Sequence, residues 1–151
     1  MIGLLQRVTA AEVVIDGGVA GAVGPGLAVL VGVEKGDGSA QADRLLERLL
    51  GYRVFPDEEG RMNRSLRHTG GGLLLVPQFT LAADTGKGTR PSFGTAAPPE
   101  EGERLFGYFL EQARAAHPEV AAGRFGADMQ VRLTNDGPVT FWLRVPPERE
   151  G

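Results

Sequence analysis

Two short stretches of this chain hold residues able to do chemistry, Pro77-Gln78-Phe79-Thr80 and Asn135-Asp136-Gly137-Pro138-Val139-Thr140. Thr80 carries a hydroxyl that becomes a nucleophile when a base sits beside it. No histidine, lysine or carboxylate adjoins it in its motif. Taken alone, a threonine at a strand end caps or bonds local backbone, and a Gly-Pro makes a turn. The better-known constellations are missing: there is no Gly-x-Ser-x-Gly, no His-Glu-x-x-His and no Walker loop. His68 and His117 are too few and too far apart to hold zinc and read as structural, and without cysteine there is neither a disulfide nor a thiolate metal site. No metal and no cofactor is expected. What stands out in both stretches is unusual backbone.

The elements that must position that backbone follow from composition and pattern. The chain has 151 residues, enough for one domain that buries roughly 68–70% of its unfolded surface without staples. Its net charge is -3. That argues against a protein gripping long stretches of phosphate backbone, but leaves open one that recognises only the end of an RNA strand. No apolar run approaches the ~18 residues of a membrane span, since Leu27 to Val33 is the longest, so a soluble, cytosolic protein is expected. Glycine, at 23 residues, is about twice its average usage of roughly 7% and implies many turns or close backbone approaches.

Met1 to Val8 and Glu12 to Ile15 read as strands, with Asp16-Gly17-Gly18 as a tight hairpin into a strand over Val19 to Val23. Leu27 to Val33 is apolar at nearly every position and reads as a central strand covered on both faces. Ser39 is expected to cap a helix that ends near Gly51 and turns Leu45, Leu46, Leu49 and Leu50 to one side. Phe55 to Gly72 reads as an extended loop with a short strand or turn around Arg61-Met62-Asn63. Leu73 to Val76 is a short buried strand that stops about Pro77, which has no N–H for a ladder, so Gln78 to Leu81 lies at its exit. A loop over 82–97 leads to a second helix that starts at Pro98 and Pro99, puts Leu105, Phe106, Phe109, Leu110 and Ala113 on one face, and stops near His117. Met129 to Thr134 and Phe141 to Val145 are expected to pair as a hairpin turning at Asn135 to Pro138. The fold class is α/β: one domain over 1–146 of mostly antiparallel β-sheets, layered or barrel-like, with two main helices and a tail at 147–151 expected to fray.

The runs Gln78-Phe79-Thr80-Leu81-Ala82-Ala83-Asp84, Arg90-Pro91-Ser92-Phe93, Gly126-Ala127-Asp128-Met129 and Asn135 to Thr140 closely resemble the D-aminoacyl-tRNA deacylases, formerly called D-tyrosyl-tRNA deacylases. Gln6-Arg7-Val8, Gly32-Val33-Glu34-Lys35 and Gly60-Arg61-Met62-Asn63 are similar in the same order and spacing, so the resemblance covers nearly the whole chain.

That resemblance implies hydrolysis of the ester between a D-amino acid and the 3′ end of tRNA, by a homodimer that needs no cofactor and has no business with membrane or DNA. It also implies a cis Gly137-Pro138 bond, with the dipeptide inserted into the neighbouring subunit's pocket. A cis bond occurs at only about 5–6% of X-Pro positions, so the sequence alone does not give it. Two carbonyls facing the substrate α-carbon would collide with an L side chain and spare a D one, which is selection by rejection. Glycine, with nothing to reject, would be removed too. Gln78 and Phe79 are the implied backbone donors for the oxyanion, where one donor is typically worth ~10²–10³ in rate, with Thr80 beside them. Substrate assistance by the terminal ribose 2′-hydroxyl is favoured over Thr80 as nucleophile. Met129 and Phe93 are implied at the pocket, Phe93 for stacking on the terminal adenine, and Arg7 as the support of Gly-Pro. One departure stands: Pro77 occupies the place of the family's usual serine, so whatever that serine contributes is absent.

Each has a plainer reading. Met129 suits the core, Phe93 a lid over it, and Arg7 an edge strand with a solvated charge. Lys87, Arg90, Arg61 and Arg64 are either phosphate contacts or ordinary loop charges. Three other functions remain open: a tRNA-end binding module without turnover, a related deacylase with a trans Gly-Pro that corrects L-amino-acid mischarging, and an unspecific esterase.

Overall fold

A computed structural model describes residues 1–148. Its backbone is organised around β1 (Ile2–Ile15), one strand of 14 residues where the sequence reads as two. The two halves fuse because β8 (Gln130–Arg144) runs antiparallel beside nearly all of it. On its other side β1 is shared: the first half pairs with β3 (Gly26–Gly32) and the second with β2 (Gly18–Val23), both antiparallel. The β1–β2 turn is as expected, with Asp16 and Gly17 both at positive φ, as a two-residue hairpin of that hand requires.

β6 (Gly72–Pro77) lies parallel to β3, and β7 (Val120–Ala122) parallel to β6. β7 then curls back to meet β2. A Cβ on Gly21 would stand 2.9 Å from the Ala122 carbonyl oxygen, so the sheet nearly closes into a barrel and only glycine fits where its walls touch. β7 is too short for its pattern to declare it.

β3 is covered on both faces, as its unbroken apolar run predicts. Leu27, Val29 and Val31, with Leu73 and Leu75, pack towards α1 (Ser39–Gly51) and α3 (Pro99–Ala116). Ala28, Leu74 and Val76 join Val8, Val13 and Val23 inside the barrel. Phe109, wholly buried on α3, is among the largest side chains of the helix-side core. No described helix is long and apolar enough to cross a membrane.

Three expectations need correction. The cap of α1 is Gly38 rather than Ser39: Gln41 reaches back, and its Oε1 accepts the Gly38 N–H at 2.8 Å, so Ser39 becomes the first helical residue. The stretch 55–72 is more ordered than a loop. It forms a small hairpin of β4 (Phe55–Pro56) and β5 (Met62–Arg64), then α2 (Leu66–Thr69), which is capped by Ser65 and anchored by fully buried Leu66. Finally, 129–145 is no hairpin. β8 runs straight through, because β1 is long enough to template both halves, and residues 136–139 are looped out as a bulge between the Gln6↔Thr140 and Val8↔Asn135 pairs.

The ends of the sheet are tied by charge. Arg144 donates to both Glu34 carboxylate oxygens at 2.8 Å, and the Met1 amino group donates to Glu34 and Asp37 at 3.3 and 2.9 Å. Hydrogen bonding to Arg144 holds the Glu34 carboxyl below its ordinary range, whereas burial pushes Asp37 up. Residues 146–148 form no regular element; of the tail expected at 147–151, residues 149–151 lie outside the described residues.

Candidate active site

Two side-by-side parallel strands, β3 and β6, end together, and a cavity of about 450 Å³ opens at that end. Val31, Val76, Phe106, Phe125 and Met129 make its wall apolar, and Gln78 and Phe79 stand at its edge. Pro77 is the last residue of β6 and lines the cavity. Beyond it the chain tightens into a 3-10 helix, Phe79–Ala82.

That tightening frees amides. The first bond of the turn is the Leu81 N–H donated to the Gln78 carbonyl at 3.2 Å, so the N–H groups of Phe79 and Thr80 come too early to have a helical acceptor. Gln78 differs. Its N–H donates to the Val31 carbonyl at 2.8 Å, carrying the β3–β6 ladder one residue past the proline. Of the two amides named as candidates, only that of Phe79 is therefore available, with that of Thr80 next to it. The Gln78 carboxamide instead donates through Nε2 to the Thr80 hydroxyl. No histidine, lysine or carboxylate is hydrogen-bonded to Thr80 among the described residues.

Phe93 lies outside the lining but packs its ring against Phe79, centroid to centroid at 5.4 Å. The two rings are 44% and 58% exposed, an aromatic surface at the mouth. Met129 lines the cavity and also touches the barrel core, so its two readings coexist. Its sulfur accepts the Arg124 N–H at 3.4 Å. Phe106 shares the apolar face of α3 that reads as core, and Phe125 stands between arginine and glycine where no periodic pattern singles it out, so neither is legible as a site residue.

Gly137 and Pro138 form a second cluster. Their peptide bond is cis, and both residues are exposed in the bulge of β8. Gly137 has φ +131, where a side chain is rarely accommodated, and a Cβ there would meet Val139 at 2.7 Å. Asn135 braces the bulge from within, accepting the Val139 N–H at 3.0 Å and donating to the Thr140 hydroxyl at 2.8 Å. Arg7 braces it from β1, donating to the Asp136 carbonyl at 3.1 Å and to the Val54 carbonyl at 2.7 Å. Because β1 has partners on both sides, Arg7 is not on an edge strand.

The two clusters do not meet within one chain. β8 itself reaches the cavity through Val131 near its start, whereas the bulge lies further along the strand, between its pairs with Val8 and Gln6. Neither Gly137 nor Pro138 lines the cavity.

Against known proteins, residues 4–144 match the family described as D-Tyr-tRNA(Tyr) deacylase. The chain is 65% identical over 147 residues to a D-aminoacyl-tRNA deacylase of Nitrosococcus oceani, covering 97% of this chain and 95% of that one. To the D-aminoacyl-tRNA deacylase of Methylococcus capsulatus it is 63% identical over 149 residues, covering 99% and 97%. Among solved structures, one described as c-Myc DNA Unwinding Element Binding Protein superposes with a TM-score of 0.93 at 38% identity, covering 97% of this chain and 99% of that one. A probable eukaryotic D-amino acid tRNA deacylase shares the fold, with a TM-score of 0.79 at 18% identity over 95% and 98% of the two chains.

Proposed function

This chain belongs to the D-Tyr-tRNA(Tyr) deacylase family and is a hydrolase of the D-aminoacyl-tRNA ester bond, and from that premise we propose that it sorts mirror-image substrates with main-chain atoms from two copies of itself. The aminoacyl ester of the tRNA 3′ end enters the cavity at the end of β3 and β6. The free amides of Phe79 and Thr80 receive the oxyanion as water adds, and the 2′-hydroxyl of the terminal ribose positions that water. Gln78 acts by orienting the Thr80 hydroxyl, and the Phe79–Phe93 surface takes the terminal adenine.

The observation that carries this reading is the separation of the two clusters. The bulge at Gly137-Pro138 is braced by Arg7 and Asn135 and exposed, yet outside the lining of the cavity it would have to guard. A bulge so firmly held outward is built to serve another surface. In a homodimer joined along β8, each Gly137-Pro138 enters the partner's cavity and blocks the side-chain direction of an L-amino acid. D-amino acids of many kinds pass, and so does glycine. Proofreading of this kind belongs in the cytoplasm, where aminoacyl-tRNA is used.

The test is a comparison of rates on D-Tyr-tRNA and L-Tyr-tRNA under one set of conditions. Rapid release from the first and little from the second is expected; equal rates would remove the chiral claim. Glycyl-tRNA is expected to be cleaved as well.

A further inference from the structure

Four loop cations stand where an RNA end could meet them in principle, and the structure divides them into two kinds. Arg61 and Arg64 share the β4–β5 hairpin with acids. Arg61 lies 3.9 Å from Glu59, and Arg64 lines the same shallow hollow as Asp57, Glu58 and Glu59. Lys87 and Arg90 are exposed, and among the described residues neither has a carboxylate within ion-pair distance. The one acid in their loop, Asp84, is engaged locally, its Oδ1 accepting the Gly86 N–H at 2.8 Å.

Their loop is also positioned. Asp84 and Ser92 exchange backbone hydrogen bonds of 2.7 and 2.9 Å across its base, and Gly88 turns its tip at φ +61. The far end is fastened to the exit of β3 by Lys35 N–H to the Thr95 carbonyl and Ala97 N–H to the Val33 carbonyl, each 3.0 Å. The residue after the pinned base is Phe93, whose ring packs on Phe79 at the cavity mouth. Arg90 is three residues from Phe93, a reach of at most about 10 Å.

On the other flank acids outnumber the one exposed cation, Arg124, beside the lining residue Phe125. Glu100 and Glu101 occupy the first turn of α3, and Asp128 is in the lining. In a chain of net charge -3, a polyanion approaching this mouth is repelled on one side and drawn across the other.

We propose that loop 84–92 carries the backbone phosphates of the single-stranded tRNA end, with Lys87 and Arg90 contacting the phosphates just before the terminal nucleotide. The assignment rests on the deacylase reading above and adds the path by which the substrate enters. It requires that binding through these residues depend on salt and on the presence of phosphates.

The experiment measures kcat/KM for Lys87→Gln/Arg90→Gln, for Arg61→Gln/Arg64→Gln and for the unaltered protein, between 50 and 200 mM salt. Two substrates are used: D-Tyr-tRNA, and D-tyrosyl-adenosine, which has no internucleotide phosphate. Each single-strand phosphate contact contributes about 0.7 to the slope of log affinity against log salt, so the Lys87/Arg90 variant should flatten the slope on tRNA by about 1.4. On D-tyrosyl-adenosine it should match the unaltered protein, and the Arg61/Arg64 variant should keep the original slope on tRNA. An unchanged slope for the Lys87/Arg90 variant, an equal loss on both substrates, or a flattening caused by the Arg61/Arg64 variant instead each overturns the path. These results would leave the deacylase reading standing. Failure of the unaltered protein to cleave either ester would remove both.

Discussion

Among single residues, Thr80 is the one whose chemistry is most easily overrated. A threonine hydroxyl attacks an ester only when a base takes its proton. Its hydrogen-bond partner here is the Gln78 carboxamide, a donor. A donor lowers the electron density a nucleophile needs, but it holds the hydroxyl, and with it the neighbouring amides, in place. Thr80→Ala should therefore keep kcat/KM on D-Tyr-tRNA within about tenfold of the unaltered protein, well short of losing an oxyanion donor entirely. Abolished activity in a variant with an intact circular dichroism spectrum would restore Thr80 as nucleophile. Pro77 makes a related point: the strand-end geometry here is set with a ring and no hydroxyl.

At the scale of elements, the site depends on how closely β3 and β6 approach. A Cβ on Gly26 would lie 1.9 Å from the Gly72 carbonyl oxygen, which is backbone and has no rotamer to move. Gly26→Ala should cost at least the about 1–3 kcal/mol of an overpacked core, read as a lower denaturation midpoint. A second element contact, Arg144 of β8 with Glu34 after β3, sets a dependence on pH. Glu34 is held below its ordinary value of 4.5. Its stabilising contribution is thus complete above that value and is lost as the pH falls through the lowered one. Asp37, raised by burial, has the opposite sign and gains stability on protonation. Arg144→Leu should lower Tm most near neutral pH, and the gap to the unaltered protein should shrink in strong acid, where Glu34 has lost its charge in both. A gap that stays constant down to pH 2 would count against the pairing.

For the whole molecule, the question is what covers β8. Among the described residues this strand pairs on one side only, with β1, and Val131 and Trp142 are exposed, Trp142 to 56%. Long open edges with exposed apolar side chains invite pairing with another chain. If a second copy docks there, Trp142→Glu should convert a dimer to a monomer by light scattering. It should also erode the preference for D-Tyr-tRNA, since each cavity would lose its partner's Gly137-Pro138. A native protein with the mass of one chain and full D over L preference would end the two-copy account.

The sequence by itself determined a good deal: the central strand β3, both main helices, the strand stop at Pro77, and the motifs carrying the family. These follow from periodicity and from residues with fixed local preferences, which act over a few positions. It misjudged 129–145, because alternation describes each half of β8 equally well whether the halves fold on each other or lie along a third strand. Only the length of β1, known once folded, decides that. Likewise Gln78 and Phe79 are equivalent donors on paper. The distinction between them arises because the Val31 carbonyl lies opposite one and nothing helical opposite the other. Hydrogen-bond partners distant along the chain are chosen by tertiary packing, and local sequence holds no record of them.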